Sequence, residues 1–241
     1  MLQRPGRICL GRRRSGRTGL SDLTRQLPSP DSLLEEAITS LLSHSATSTK
    51  RLRSLADYLK QLFEHEGLPN VKGGSGGELQ VPGLSRIKNW DLAYEFAGKF
   101  RLLVSLKSML KNISGSVPNR LDDLQGEIAN VQQLRPEIVI GYVVLFDVAE
   151  DSVRSEDGDT WSDYFEAALK KMAIRKAPLW NQGLFESLWF IRFDSAKPAG
   201  ARLLSSPDTA QARERFLRAL LCELKLREPA VPLLKEPDCP G

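Results

Sequence analysis

The run EIVIGYVVLFDV, residues 137–148, constrains the fold more than any other stretch of the chain. It is a near-continuous string of Val, Ile, Leu and Phe, and it is far shorter than the roughly 18–20 residues that a membrane span requires. A short apolar run of this kind reads as a central strand covered on both faces. Covering two faces takes helices on either side, which points to an α/β domain.

The rest of the chain supplies those helices. SPDSLLEEAITSLLSHSA (29–46) opens with the cap-like Asp31 and has apolar residues at helical spacing. TSTKRLRSLADYLKQLFEHEGL (47–68) places Leu52, Leu55, Leu59, Leu62 and Phe63 on one face and has Gly67 as a stop. Further helices are predicted over residues 119–135, 159–176 and 208–226, and ESLWFIRFD (186–194) as another strand. SGSVPNR (114–120) reads as a loop, and GGSGGE (73–78) as a flexible turn, because it lacks the Lys-Ser/Thr ending of a phosphate-binding loop. The order predicts a mixed central sheet flanked by helices in one domain, residues 31–228. A basic, disordered arm (1–30) precedes it, and a loose, proline-rich tail (229–241) follows.

Between the second helix and the next lies WDLAYEFAGKFRLLVSLKSM, residues 90–109, which reads as two strands folded back around Ala97-Gly98-Lys99. A largely buried hairpin here holds a carboxylate (Asp91), a hydroxyl (Ser105) and an ammonium (Lys107). Burying a charge costs several kcal/mol unless it is paired or binds a metal. These groups therefore sit at a wet sheet edge or do chemistry together. If Asp91 and Lys107 share a face, the connecting loop holds an odd number of residues, and a three-residue loop Ala97–Lys99 sets Asp91 opposite Ser105.

Charge and composition narrow the function classes. Six arginines and no acid fall in residues 1–20, leaving −2 for the remainder of a chain whose total is +4. Residues 85–120 nonetheless hold seven bases against two acids, a balance that suits a phosphate-facing surface. Only His44 and His65 are present, and FEHEG lacks the second histidine of a HExxH motif, so a histidine-based metal site or a Ser-His-Asp triad has little to draw on. Cys9, Cys222 and Cys239 are scattered without CxxC spacing. That predicts neither a zinc site nor a disulfide framework, and fits a reducing, cytoplasmic compartment.

The order helix, strand with Asp, strand with a short x-x-Lys motif, helix, strand resembles the core of the PD-(D/E)XK nucleases, the restriction-endonuclease-like superfamily. The resemblance covers about residues 31–150. It implies that Asp91 binds magnesium and that Lys107 orients or activates water, with Ser105 standing where the family has its second acid and Trp90 where it has Pro. Some restriction enzymes of this superfamily carry Ser-x-Lys and have moved that acid to the following helix. On the stripe Leu121, Leu124, Ile128 and Val131, Glu127 lies about 80° from the centre, whereas Asp122 and Asp123 lie about 140° and 120° away. Glu127 is the acid best placed to reach the sheet. Arg120, Asp123, Glu36 and Asp147 are candidates for supporting roles.

The resemblance implies a magnesium-dependent endonuclease acting on double-stranded DNA, most like a type II restriction enzyme, and a homodimer, because symmetric cutting needs two sites on a two-fold axis. Trp180, Phe185, Trp189 and Phe190 would serve as core or as contact residues. The competing expectation is a nuclease-fold protein that has lost catalysis and binds DNA or a protein partner, and Ser105 is the feature that favours it. No membrane partner is expected.

Overall fold

The computed structural model of the chain describes residues 29–45, 48, 50–176, 182–204 and 207–239. Residues 1–28 of the basic arm, Cys9 among them, and Trp180 lie outside the described residues, so the expectation of disorder falls on residues that are not described. Along the chain come α1 (Pro30–Ser43), α2 (Arg53–His65), β1 (Lys72–Gly73), β2 (Leu79–Pro82), β3 (Ile87–Trp90), β4 (Leu92–Phe96), β5 (Lys99–Met109), α3 (Ile113–Leu134), β6 (Val139–Asp147), α4 (Trp161–Met172), β7 (Ser187–Phe193) and α5 (Pro207–Arg227). The apolar run forms β6, and all nine of its residues are buried.

β6 occupies the inside of a five-stranded sheet of order β1-β4-β5-β6-β7, as a doubly covered strand should. The first three strands run antiparallel, and β5, β6 and β7 run parallel. Parallel neighbours need crossovers, which α3 and α4 provide. This is an α/β fold with a mixed sheet between helical layers. One face packs Leu102, Val104, Val143 and Trp189 against Leu34, Leu59, Phe216 and Leu220 of α1, α2 and α5. The other packs Leu103, Ile140, Val144 and Phe146 against Leu124 and Ile128 of α3 and Phe165 and Leu169 of α4. Gly141 lies where α5 crosses β6. A Cβ there would come within 2.7 Å of Leu220 Cδ1 and 3.0 Å of the Phe216 ring, so glycine lets the helix sit down on the sheet.

Three expectations need correction. Residues 114–118 are helical, because α3 starts at Ile113 and runs through Pro118. Proline disfavours a helix interior, but here it lies in the second turn beside the small Ser114, Gly115 and Ser116, and Ile113 and Val117 bury that turn in the core. Cys222 and Cys239 form a disulfide, with Cα atoms 5.6 Å apart across a separation of 17 residues. Spacing says nothing of how a tail folds back, so a pair without a motif was invisible in the sequence. The disulfide also removes the cysteine argument for a reducing compartment. The tail itself is held down: Val231 is fully buried and the Leu234 N–H donates to the Gly67 carbonyl at 2.8 Å.

At the edge of the sheet away from the C-terminal ends of the parallel strands, Glu186 is buried with Arg175 (3.1 Å) and Arg227 (2.8 Å). It also accepts the Ile140 N–H at 2.6 Å. This cluster ties the starts of β6 and β7 to the end of α5. Among the described residues, no helix is long and apolar enough to cross a membrane.

Candidate active site

The hairpin is not one continuous pair of strands. Trp90 pairs with Leu79 in a separate two-stranded sheet of β2 and β3, whereas Leu92 pairs with Val104 and Gly73 in the main sheet. Asp91 is the bend at which the chain passes from one sheet to the other. Its Oδ2 accepts the Leu106 N–H at 2.7 Å, so the side chain takes the place of a main-chain partner beyond the end of β4. That explains why a carboxylate is tolerated inside the fold.

The register was expected from a three-residue loop, and the structure reaches it differently. The turn is two residues, Ala97-Gly98, both at positive φ (51° and 72°), as tight hairpins favour. Phe96 pairs with Lys99 and Glu95 with Phe100, but Tyr94 pairs with Leu102, so Arg101 is an extra residue in β5. This bulge restores the parity that the two-residue turn removes. Without it, Asp91 would align with Val104 rather than Ser105.

The glycine-rich segment is an ordered brace and not a flexible turn. Gly73 (φ 121°) lies so close to Asp91 that a Cβ would stand 2.0 Å from the Asp91 carbonyl oxygen. Ser75 is fixed on Asp57 of α2 through its N–H (2.9 Å) and its hydroxyl. On the other side, the buried Asn130 of α3 holds residues 85 and 86. Its Oδ1 accepts from the Ser85 N–H (2.9 Å) and hydroxyl (2.8 Å), and its Nδ2 donates to the Arg86 carbonyl (2.9 Å). The backbone on both sides of Asp91 is thus anchored to a helix.

Lys107 and Glu127 are in contact. Glu127 receives Lys107 Nζ at 3.4 Å, Lys88 Nζ at 2.9 Å and the Tyr142 hydroxyl at 3.2 Å. Ser105 is buried beside Tyr142, its neighbour in register on β6. Burial pushes the Asp91 carboxyl up to about 6; the Leu106 N–H and the Lys107 charge oppose that rise and the Glu78 charge adds to it. Burial would raise Glu127 too, but the Lys107 and Lys88 charges outweigh it and hold its carboxyl below the ordinary value. Tyr142, buried and facing Glu127, is pushed well above the ordinary phenol value. The result is one carboxyl raised by burial and one held ionised, both under the charge of Lys107.

Asp91 and Lys107 open on a cavity of about 930 Å³, with Glu78, Ser108, Arg51 and Arg120 also on its wall. Of the supporting candidates, Arg120 lines this cavity and Asp123 is its exposed partner at 3.9 Å. Asp147 lines it as well, with its Oδ1 engaged by the Ala149 and Ser195 N–H groups. Glu36 does not belong to the site: it lies on the exposed side of α1. Glu78, Lys88 and Arg51 were missed. Tyr142 had a visible signal, as the lone hydroxyl inside the apolar run, whereas Glu78 follows a glycine turn whose path no local pattern fixes.

Among the described residues, no group of three or more His, Cys, Asp and Glu side chains is arranged to hold a metal ion. Magnesium asks for less, usually one or two carboxylates completed by water and substrate oxygen. Asp91 meets that demand. The Leu106 carbonyl lies on the same side of β5 as the N–H that Asp91 accepts. No family model matches the chain, and neither a curated protein nor a solved structure does.

Proposed function

We propose that the chain is a magnesium-dependent endonuclease that hydrolyses phosphodiester bonds of duplex DNA, of the restriction-endonuclease-like type. The observation that carries this proposal is the meeting of Asp91 and Lys107 on one cavity wall, at a bend that two helices brace. Asp91, the Leu106 carbonyl and Glu127 or Glu78 would hold the cation. Bound there, magnesium would supply Lewis-acid polarisation of the phosphate.

The chain's own groups account for the rest. Lys107 places a fixed positive charge where the attacked phosphate gains negative charge, the kind of preorganised stabilisation worth several kcal/mol. Glu127, ionised and bonded to Lys107, positions that ammonium. Tyr142 and Lys88 in turn hold Glu127. Asp91 would serve in its ionised form, which burial disfavours and a bound cation would favour. Cutting both strands would call for a dimer with two such sites.

The alternative is a protein with this architecture that binds DNA or a protein partner without cutting. The engagement of both Glu127 oxygens by lysine and tyrosine favours it, since a carboxylate so occupied is a poor ligand. Cleavage of supercoiled plasmid in magnesium by variants separates the two. Asp91→Asn, Lys107→Ala and Glu127→Gln should each lose activity while still binding DNA, and Asp122→Asn should keep it. Normal cutting by Glu127→Gln would transfer the second-acid role to Glu78.

A further inference from the structure

The cavity extends past Asp91 and Lys107 to a second group of cations. Arg51 comes from the segment before α2, in the layer on one face of the sheet. Arg120 comes from α3, in the layer on the other. Both line the cavity beyond the C-terminal end of β5, the edge of a parallel sheet at which ligands characteristically bind. Arg51 donates to the hydroxyl of Ser108, the residue directly after Lys107, so its guanidinium is tethered one position from the lysine. Burial, and then the Arg120 charge, lower the Arg51 guanidinium below its ordinary value, so the two like charges share a partly desolvated space. Lys111 and Ser116 add donors to the same wall. The acids on the wall are Glu78, Asp91, Asp147 and Glu150; Asp147 Oδ1 is committed to backbone N–H groups, and Arg120's contact with Asp123, which lies off the wall, is long, at 3.9 Å.

We propose that Arg51 and Arg120 form a second phosphate seat, which takes the backbone phosphate of duplex DNA next to the one held at Asp91 and Lys107. This assignment of the ligand rests on the nuclease function proposed above. Two guanidiniums facing one space repel each other, and a phosphate between them relieves the repulsion while matching their fork of donors. The seat makes the substrate a polynucleotide rather than an isolated phosphodiester. It also fixes where the strand lies, because a phosphate contact sets register without reading sequence.

The test is the salt dependence of duplex binding, measured by fluorescence anisotropy with a 20-base-pair probe and the full chain in EDTA, from 50 to 200 mM KCl. For B-DNA, each phosphate contact adds about 0.9 to the slope of log affinity against log salt. Arg51→Gln and Arg120→Gln together should lower that slope by about one, and each alone should lower it in part and weaken binding severalfold. Lys170→Gln, on the exposed side of α4, should leave it unchanged. Arg120 is half-exposed, so its variant will fold, and an unchanged slope for Arg120→Gln overturns the proposal. Failure to bind the probe overturns it as well. The two proposals fail separately. A reduced slope with no plasmid cleavage in magnesium removes the nuclease and leaves the seat. Cleavage with unchanged slope and KM in both arginine variants removes the seat and leaves the nuclease.

Discussion

Replacing Asp91 by Asn should stabilise the protein at neutral pH, against the usual effect of altering a buried polar residue. The folded state lifts the Asp91 carboxyl from 3.8 to about 6, with burial as the main cause. At about 1.36 kcal/mol per pH unit, ionised Asp91 destabilises the fold by about 3 kcal/mol relative to its neutral form. The sign follows from proton uptake: between pH 4 and 6 the folded state binds the extra proton, so stability falls as pH rises through that window. The loss is complete above about pH 6 and absent below about pH 4. Asparagine carries no charge and keeps an oxygen that can accept the Leu106 N–H, so it escapes this penalty. In a domain of this size the gain corresponds to several degrees in Tm, with about 10 °C as the ceiling. Thermal melts of wild type and Asp91→Asn at pH 8 and pH 4 measure it, with the variant more stable at pH 8 and the difference closing at pH 4. Adding magnesium should narrow the gap at pH 8, since a cation favours the ionised wild-type carboxylate. If Asp91→Asn is less stable at both pH values by the same amount, Asp91 is an ordinary structural residue and its burial needs another explanation.

Three further outcomes follow from the packing around the site. Gly141→Val should destabilise by about 1–3 kcal/mol in urea unfolding, because its side chain meets Leu220 and Phe216 of α5; an unchanged midpoint would mean that α5 is free to lift. Asn130→Ala should cost about 1–3 kcal/mol by leaving buried polar groups at residues 85 and 86 unpaired, and should also lower cleavage, since the backbone entering Asp91 loses its anchor. Cys239→Ser should lower stability by about 2–3 kcal/mol, and dithiothreitol should destabilise wild type but not the variant; equal sensitivity of the two would show that the disulfide does not hold the tail.

The architecture was legible where burial imposes a pattern. The run at 137–148 reads as an inner strand, and the helices announced themselves by stripes such as Leu55, Leu59 and Phe63. The angular position of Glu127 on α3 turns it toward the sheet, where it meets Lys107 of β5; the ion pair between the two was not legible in the sequence. What could not be read depends on the path of irregular backbone. Nothing local distinguishes the Arg101 bulge, which sets the face that Lys107 occupies. Nothing local brings Glu78 to the cavity, since it follows a turn whose course is fixed by the distant contact of Ser75 with Asp57, and no pattern marks Arg51 as a cavity residue. Pro118 misled for the opposite reason: a strong local signal was outweighed by the burial of Ile113 and Val117.

The most direct test of the central claim is incubation of the purified wild-type chain with supercoiled plasmid in magnesium and in EDTA, over a range of enzyme concentrations. A metal-dependent endonuclease gives nicked and then linear DNA in magnesium alone, in proportion to enzyme, and Lys107→Ala abolishes both products. Intact plasmid at every concentration, from protein that is folded and binds the duplex, would contradict the claim and leave a DNA-binding protein of the same architecture.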